Sequence, residues 1–114
     1  MEISIKEERD WTIIGVAGRL DTVTAANFEK ECLGCLDQGK TSVALDFSAL
    51  EYVSSAGLRS VLIVGKKAKA SGGSLAICGL TGLVEEVFTM SGFDSFFPVY
   101  ASVSSLLEGD SHHG

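Results

Sequence analysis

The feature that most constrains the fold is a strand-like apolar run followed by a helical pattern in the middle of the chain. Residues 41–47 are mostly apolar, which is typical of a strand that is buried on both faces. From about residue 55 to residue 70 the apolar side chains recur every three or four positions, as on one face of a helix. Ser54 and Ser55 stand where that helix is predicted to begin, after a short turn.

Strand-like and helix-like segments alternate along the rest of the chain, and an opening hairpin precedes them. The predicted strands lie near residues 3–5, 11–18, 41–47, 74–78 and 96–100, and the predicted helices at 22 or 24 to 38, 55–70, 81–90 and 102–107. This order predicts a single α/β domain with a mostly parallel β-sheet, an N-terminal hairpin strand and about four helices. Pro98 favours an edge position for the last strand. We expect the domain to cover residues 1–108 and a polar tail to cover 109–114.

The helical spacing also predicts which side chains are buried. In the first helix these are Ala25, Phe28, Cys32, Cys35 and Leu36, and in the third they are Leu83, Val84, Val87 and Phe88. Cys32 and Cys35 match a Cys-x-x-Cys motif, which in redox enzymes opens a helix where the dipole lowers a thiol pKa. Here the pair falls near the end of a helix, so buried structural cysteines are favoured over a small redox protein.

Composition and charge exclude several classes of function. The 114 residues carry a formal net charge of −6, which argues against nucleic acid as a partner and weakly against anionic membranes. No apolar run approaches the ~18 residues of a membrane-spanning helix, and the N-terminus does not resemble a signal peptide. The three cysteines, an odd number, fit a reducing compartment. A cytoplasmic protein with no membrane partner is therefore expected.

The chain has none of the usual arrangements for catalysis. Its two histidines lie in the tail, there is no Gly-x-Ser-x-Gly elbow and there is no glycine-rich phosphate loop. We therefore expect no catalytic residue, metal site or cofactor. Because a helix N-terminus favours phosphate, Ser54 or Ser55 is a plausible phosphorylation site, and the alternative is that the serines simply cap the helix.

Three further side chains are candidates for a surface around these serines. Asp21 and Asp46 each directly follow an apolar strand, and the ends of neighbouring parallel strands gather at one sheet edge. They could therefore lie near Ser55, although each could instead organise its own turn. On the outer face of the second helix, Ile63 is apolar among Ser55, Arg59 and Lys66, as expected of a ridge that docks a protein.

Four segments together resemble the STAS domain, the fold of bacterial anti-sigma factor antagonists and of the cytoplasmic ends of sulfate transporters. They are Gly18-Arg19-Leu20-Asp21 with Ala25, then Leu45-Asp46-Phe47-Ser48, then residues 52–59 (Tyr-Val-Ser-Ser-Ala-Gly-Leu-Arg), and finally Gly79-Leu80 with Val87-Phe88 and Ser91-Gly92-Phe93-Asp94. The resemblance spans nearly the whole chain, and the order and spacing of its segments are specific.

The resemblance implies a role in transcription regulation by partner switching. An unphosphorylated antagonist binds an anti-sigma factor that is also a serine kinase with a histidine-kinase-like ATP fold. Phosphorylation of a serine at the start of the second helix then releases the kinase, and a serine phosphatase resets the switch. The alternative is a non-phosphorylated STAS subunit of a larger sensory or transport complex.

The resemblance also assigns the site residues. Many members carry Asp-Ser-Ser-Gly, with the serine before glycine modified. Aligned on Gly57, this chain has Ala56 at that position and Ser54 at the acidic one. The variant Ser-Ser-Ala-Gly-Leu-Arg also occurs in the family, with its middle serine as the acceptor. The resemblance therefore implies that Ser55 is the phosphorylation site, with Ser54 as the alternative. The expected partner-binding residues are Asp21, Asp46, Ser54, Ala56, Gly57, Arg59 and Ile63.

Overall fold

A mixed six-stranded sheet forms the centre of the molecule. The computed structural model describes residues 1–113, with side chains through residue 109. The strands are β1 (Glu2–Glu8), β2 (Trp11–Leu20), β3 (Ser42–Asp46), β4 (Leu50–Val53), β5 (Ser74–Cys78) and β6 (Val99–Tyr100). Their order is β1-β2-β3-β5-β6, and β4 pairs with the end of β2. Only the β1–β2 hairpin is antiparallel among these pairs.

The helices follow the order predicted from the sequence. They are α1 (Ala25–Asp37), α2 (Ser55–Ala70), α3 (Gly82–Met90), the single turn α4 (Phe93–Phe96) and α5 (Val103–His113). The predicted α/β class, the N-terminal hairpin and the four longer helices are therefore confirmed. In the part of the chain that the structure describes, no helix is both long and apolar enough to cross a bilayer.

The two faces of the sheet are covered by different helices. Because side chains alternate along a strand, Val43 and Leu45 of β3 face one side and Ala44 faces the other. The first side packs with Phe28 of α1 and Val64 of α2 in the larger core cluster, whose members from the sheet also include Ile14, Val16, Leu75 and Ile77. The second side packs against α5 in a smaller cluster of Ile13, Ala44, Ala76, Cys78 and Leu106.

The amphipathic pattern of α1 agrees fully with the structure. Its buried residues are Ala25, Phe28, Cys32, Cys35 and Leu36, as the helical spacing predicts. In α3 the agreement is partial, because Val84 and Phe88 are buried whereas Leu83 is 77% exposed. Leu83 is the second residue of the helix, and its neighbour Val84 takes the buried position in the core.

Two local predictions need correction. The segment 48–53 was expected to be a turn, but residues 50–53 form β4, which pairs with β2 beyond the point where β3 stops. The last strand is shorter than the predicted 96–100, because α4 occupies its first position and leaves only Val99–Tyr100 in the sheet. This strand does lie at the edge, as Pro98 indicated.

The predicted domain end at residue 108 falls within α5. The backbone of this helix continues to His113. The side chains of residues 110–113 and all of Gly114 lie outside the described residues, so the polar tail over 109–114 stays a prediction.

Candidate partner-binding surface at the start of helix α2

The two serines at the start of α2 occupy different environments. Ser54 is the N-cap, with extended backbone, and its Oγ accepts a hydrogen bond of 3.2 Å from the N–H of Gly57. Its own N–H donates to the carbonyl of Leu20 over 3.0 Å, which ties the helix to the end of β2. Ser55 is the first helical residue and is exposed, whereas Ser54 is half-buried. The cap is therefore made by Ser54, and the Ser55 hydroxyl remains accessible.

Gly57 allows the first turn of α2 to lie close against the sheet. A Cβ at this position would lie 2.5 Å from the carbonyl oxygen of Leu20 and 3.0 Å from a methyl carbon of Val53. Gly57 is buried, and Ala56 before it is half-buried. Gly57 therefore adds no side chain to the surface, but it allows the close approach that positions the turn carrying Ser55.

Asp21 organises the loop that lies beside this turn. Its Oδ1 accepts hydrogen bonds from the N–H groups of Val23 (3.0 Å) and Thr24 (3.2 Å), just before α1 begins. Desolvation acts to raise the pKa of the Asp21 carboxyl, but the hydrogen bonds from Thr24, Val23 and Arg19 outweigh it and lower that pKa below its ordinary value. Asp21 is therefore a carboxylate at neutral pH, and it lies next to the Leu20–Ser54 connection.

Arg19 and Tyr52 belong to the same surface but were not predicted from the sequence. They lie level with each other in the β2–β4 pairing, and the Arg19 guanidinium carbon is 4.1 Å from the centroid of the Tyr52 ring. The Arg19 Nε is also 3.5 Å from the Asp21 carboxylate. They were missed because residues 50–53 were interpreted as a turn, although the aromatic and β-branched pair Tyr52-Val53 is a signal for a strand.

Asp46 lies elsewhere, so the expectation that it approaches Asp21 and Ser55 is wrong. It is level with Gly15 of β2, six positions before Asp21, which corresponds to roughly 15–20 Å along a strand. By strand alternation it shares the face of Ala44, which α5 covers, whereas α2 lies on the other face. Its Oδ1 accepts from the N–H of Ser48 over 3.1 Å, as in the alternative in which it organises its own turn.

The predicted ridge on α2 is exposed along its whole length. Ser55, Arg59, Ile63 and Lys66 all face solvent, and Ile63 is 41% exposed. Val23, in the loop held by Asp21, is 87% exposed and was not singled out by the sequence. Val23 lies in a loop, where no periodic apolar pattern distinguishes one residue from its neighbours.

The cysteines are buried in the core and offer no accessible thiolate. Burial raises the pKa of Cys32 and of Cys35, and it raises the pKa of Cys78 to about 12. A thiol with a raised pKa stays protonated and is a poor nucleophile and metal ligand at neutral pH. In the described part of the chain, no three His, Cys, Asp or Glu residues are grouped to hold a metal ion.

Comparison with known proteins identifies the fold family. The model of the STAS domain matches residues 2–106. This chain belongs to the STAS domain family. BtrV of Bordetella bronchiseptica, a candidate anti-sigma factor antagonist, is 38% identical over 99 residues, covering 87% of this chain and 85% of that protein. The anti-sigma-F factor antagonist RsfB of Mycobacterium tuberculosis is 20% identical and covers 94% of this chain and 87% of its own length.

Solved structures share this STAS fold. A candidate anti-sigma factor antagonist from Thermotoga maritima superposes with a TM-score of 0.88 at 24% identity, covering 94% of this chain and 92% of that one. The phosphorylated form of SpoIIAA from Bacillus gives a TM-score of 0.72 at 18% identity and covers 94% and 98% of the two chains. The unphosphorylated form of SpoIIAA gives the same TM-score.

Proposed function

We propose that this STAS domain is a cytoplasmic anti-sigma factor antagonist, a binding protein and not an enzyme. Its partner is an anti-sigma factor that is also a serine kinase, and phosphorylation of Ser55 ends the complex until a serine phosphatase restores it. The name of BtrV, at 38% identity over most of both chains, supports the antagonist role.

One observation carries the choice of Ser55 as the acceptor. Ser54 uses its hydroxyl to cap α2, whereas Ser55 is exposed at the first helical position. A kinase needs an accessible hydroxyl, and a phosphate at the first turn of a helix is stabilised by the dipole and by backbone N–H groups. Ser55 therefore meets both requirements, and Ser54 is the less suitable alternative.

The same position explains why phosphorylation separates the partners. The contact surface that we propose around Ser55 comprises Asp21 with Val23 and Arg59 with Ile63. The first pair follows Leu20, to which Ser54 is hydrogen-bonded, and the second pair lies on the exposed face of α2. A phosphate adds about −1.5 to −2 charges and considerable bulk at its centre. A loss of ~1.4 kcal/mol in binding free energy weakens the complex tenfold, so a modest clash is sufficient. Asp46 is level with Gly15, six positions before Asp21, and is outside this surface.

Calorimetry with the cognate anti-sigma factor tests the proposal. We expect Ser55→Asp to weaken binding at least tenfold, whereas Ser55→Ala binds and gains no phosphate on incubation with kinase and ATP. Ser104→Asp is the matched control, because Ser104 is also exposed in the first turn of a helix, α5, on the opposite side of the sheet. It should bind like the unmodified chain. Undiminished binding by Ser55→Asp contradicts the switch.

A second candidate is a STAS interaction subunit that is not phosphorylated. The presence of Ala56 at the position where many STAS antagonists carry the modified serine favours it. Intact mass measured after incubation with the kinase and ATP distinguishes the two functions. A gain of one phosphate that Ser55→Ala abolishes supports the switch, and an unchanged mass supports the subunit.

A further inference from the structure

The exposed face of α2 concentrates positive charge in an otherwise acidic protein. The helix contains Arg59, Lys66, Lys67 and Lys69, which are four of the nine basic residues, and none of the fifteen acidic ones. The rest of the chain therefore carries a formal charge of −10. All four side chains are exposed. Among the described residues, the ion pairs join Arg19 to Asp21 and Lys40 to Glu7, so neither one neutralises α2.

An apolar groove lies beside the C-terminal half of this face. It has a volume of about 220 Å³ and is lined by Leu62, Lys66, Lys69, Phe96 and Phe97. Phe96 is 58% exposed on one wall, and Phe97, which is 3% exposed, forms the floor. The ring of Phe97 lies directly against α2, because a Cβ on Gly65 would be only 2.3 Å from it. The groove therefore depends on Gly65, because any larger residue there would displace the Phe97 ring, although glycine in the middle of a helix normally weakens it.

One basic rim of the groove is held in place. The Lys69 ammonium donates a hydrogen bond of 3.1 Å to the carbonyl of Phe96 and lies 5.1 Å from the centroid of the Phe97 ring. Lysines in the last turn also complement the helix dipole, which accounts for Lys67 and Lys69 as charges. The dipole does not account for Phe96, or for the exposed Ile63 one turn before Lys66 and Lys67.

We infer that this groove receives an acidic segment of the partner, with an apolar side chain inserted between Phe96 and Leu62 and carboxylates against Lys66 and Lys69. The inference rests on the proposed function and names the chemistry of the partner. The proposed partner is a protein, and charge complementarity predicts that the segment bound in this groove is acidic, since α2 carries four basic side chains and none of the ion pairs among the described residues involves them. The groove is eleven residues from Ser55, or ~16 Å along the helix, within one ordinary interface.

An acidic partner segment also accounts for why phosphorylation of Ser55 weakens binding and does not strengthen it. A phosphate on Ser55 places up to two negative charges at one end of a face that carries four positive ones. The attraction for carboxylates of the partner falls, so modification at Ser55 weakens contacts along the whole face and not only at its own position.

Two groove variants and a charge-matched control test the inference with the unphosphorylated chain and its anti-sigma factor. We expect Lys66→Glu/Lys69→Glu to weaken binding at least tenfold and to flatten its dependence on salt, and Phe96→Ser to weaken it with the salt dependence retained. Lys6→Glu/Lys30→Glu changes the net charge equally, on β1 and α1, and should alter affinity less than twofold. Circular dichroism confirms that each variant is folded.

The outcomes separate this inference from the proposed function. If both groove variants bind normally, or if the control variant binds as weakly as they do, the groove inference is overturned and the antagonist role stands. No binding by the unmodified chain overturns the antagonist role itself. Two further measurements cover other occupants of the groove. One is sedimentation with phosphatidylglycerol vesicles, and the other is light scattering for self-association. If the groove variants abolish either of these while they still bind the anti-sigma factor, the inference is also overturned.

Discussion

Ser54 and Ser55 differ in what their hydroxyl groups contact, and their substitution should separate stability from regulation. Ser54→Ala removes the hydrogen bond that satisfies the N–H of Gly57 and should lower the free energy of unfolding by about 1 kcal/mol. Ser55→Ala removes an exposed hydroxyl and should change it by less than about 0.5 kcal/mol. Urea unfolding measures both. Equal losses would mean that the cap is shared and would weaken the case for Ser55 as the acceptor.

Gly57 and Gly34 form a matched pair of helical glycines with opposite expected effects. Gly57→Ala places a methyl group against the Leu20 carbonyl and should destabilise the fold by about 1–3 kcal/mol. Gly34→Ala, in α1, meets nothing within 4 Å and should stabilise it by about 0.5–1 kcal/mol, since alanine is the better helix former. The comparison is made by thermal or urea unfolding. A neutral Gly57→Ala would show that α2 can move away from β2.

At the level of elements, α1 illustrates how burial determines cysteine chemistry. Cys32 and Cys35 lie on its apolar face, and Cys78 ends β5 inside the second cluster. Because burial raises the pKa of all three thiols, we expect them to react very slowly with Ellman's reagent at pH 8 in the native state. In guanidinium chloride all three should react. Rapid reaction of two thiols in the native protein would revive the redox hypothesis.

The elements differ in how far the sequence predicts them. The starts of α1 and α2 and the buried face of α1 were predictable, because a helix of three or more turns repeats its apolar pattern several times. Strand β4 was not, since four residues give little periodicity and its partner, β2, lies about thirty residues away along the chain. Arg19 and Tyr52 were missed together for that reason, as their contact exists only through this pairing.

For the whole molecule, we expect the proposed phosphorylation of Ser55 to leave the fold unchanged. Ser55→Asp places a carboxylate at the positive end of the α2 dipole, worth ~0.3–1 kcal/mol of stabilisation. We therefore expect its melting temperature to be equal to that of the unmodified chain or a few degrees higher, with the same circular dichroism. A marked decrease in melting temperature would mean that loss of binding reflects unfolding.

The residues of the candidate surface fall into two groups, those whose position is set within one helix and those whose position depends on strand pairing. Ser55, Arg59 and Ile63 belong to one helix, so their common exposure follows from 3.6 residues per turn and was predicted correctly. Asp21 and Asp46 looked equivalent in sequence, each directly following an apolar strand. Only the pairing of β3 with the first half of β2 and of β4 with the second half separates them by several strand positions.

By itself, the sequence determined the α/β class, the order of its elements, the buried face of α1 and the position of the serines at the start of α2. These properties depend on periodicity and capping within about fifteen neighbouring residues. The tertiary structure alone decided that Asp46 lies outside the candidate partner-binding surface and that Arg19 stacks on Tyr52 beside Asp21. It also decided that Phe97 packs against Gly65 and forms a groove. Those depend on strand register and on the close approach of distant segments, which no local pattern encodes.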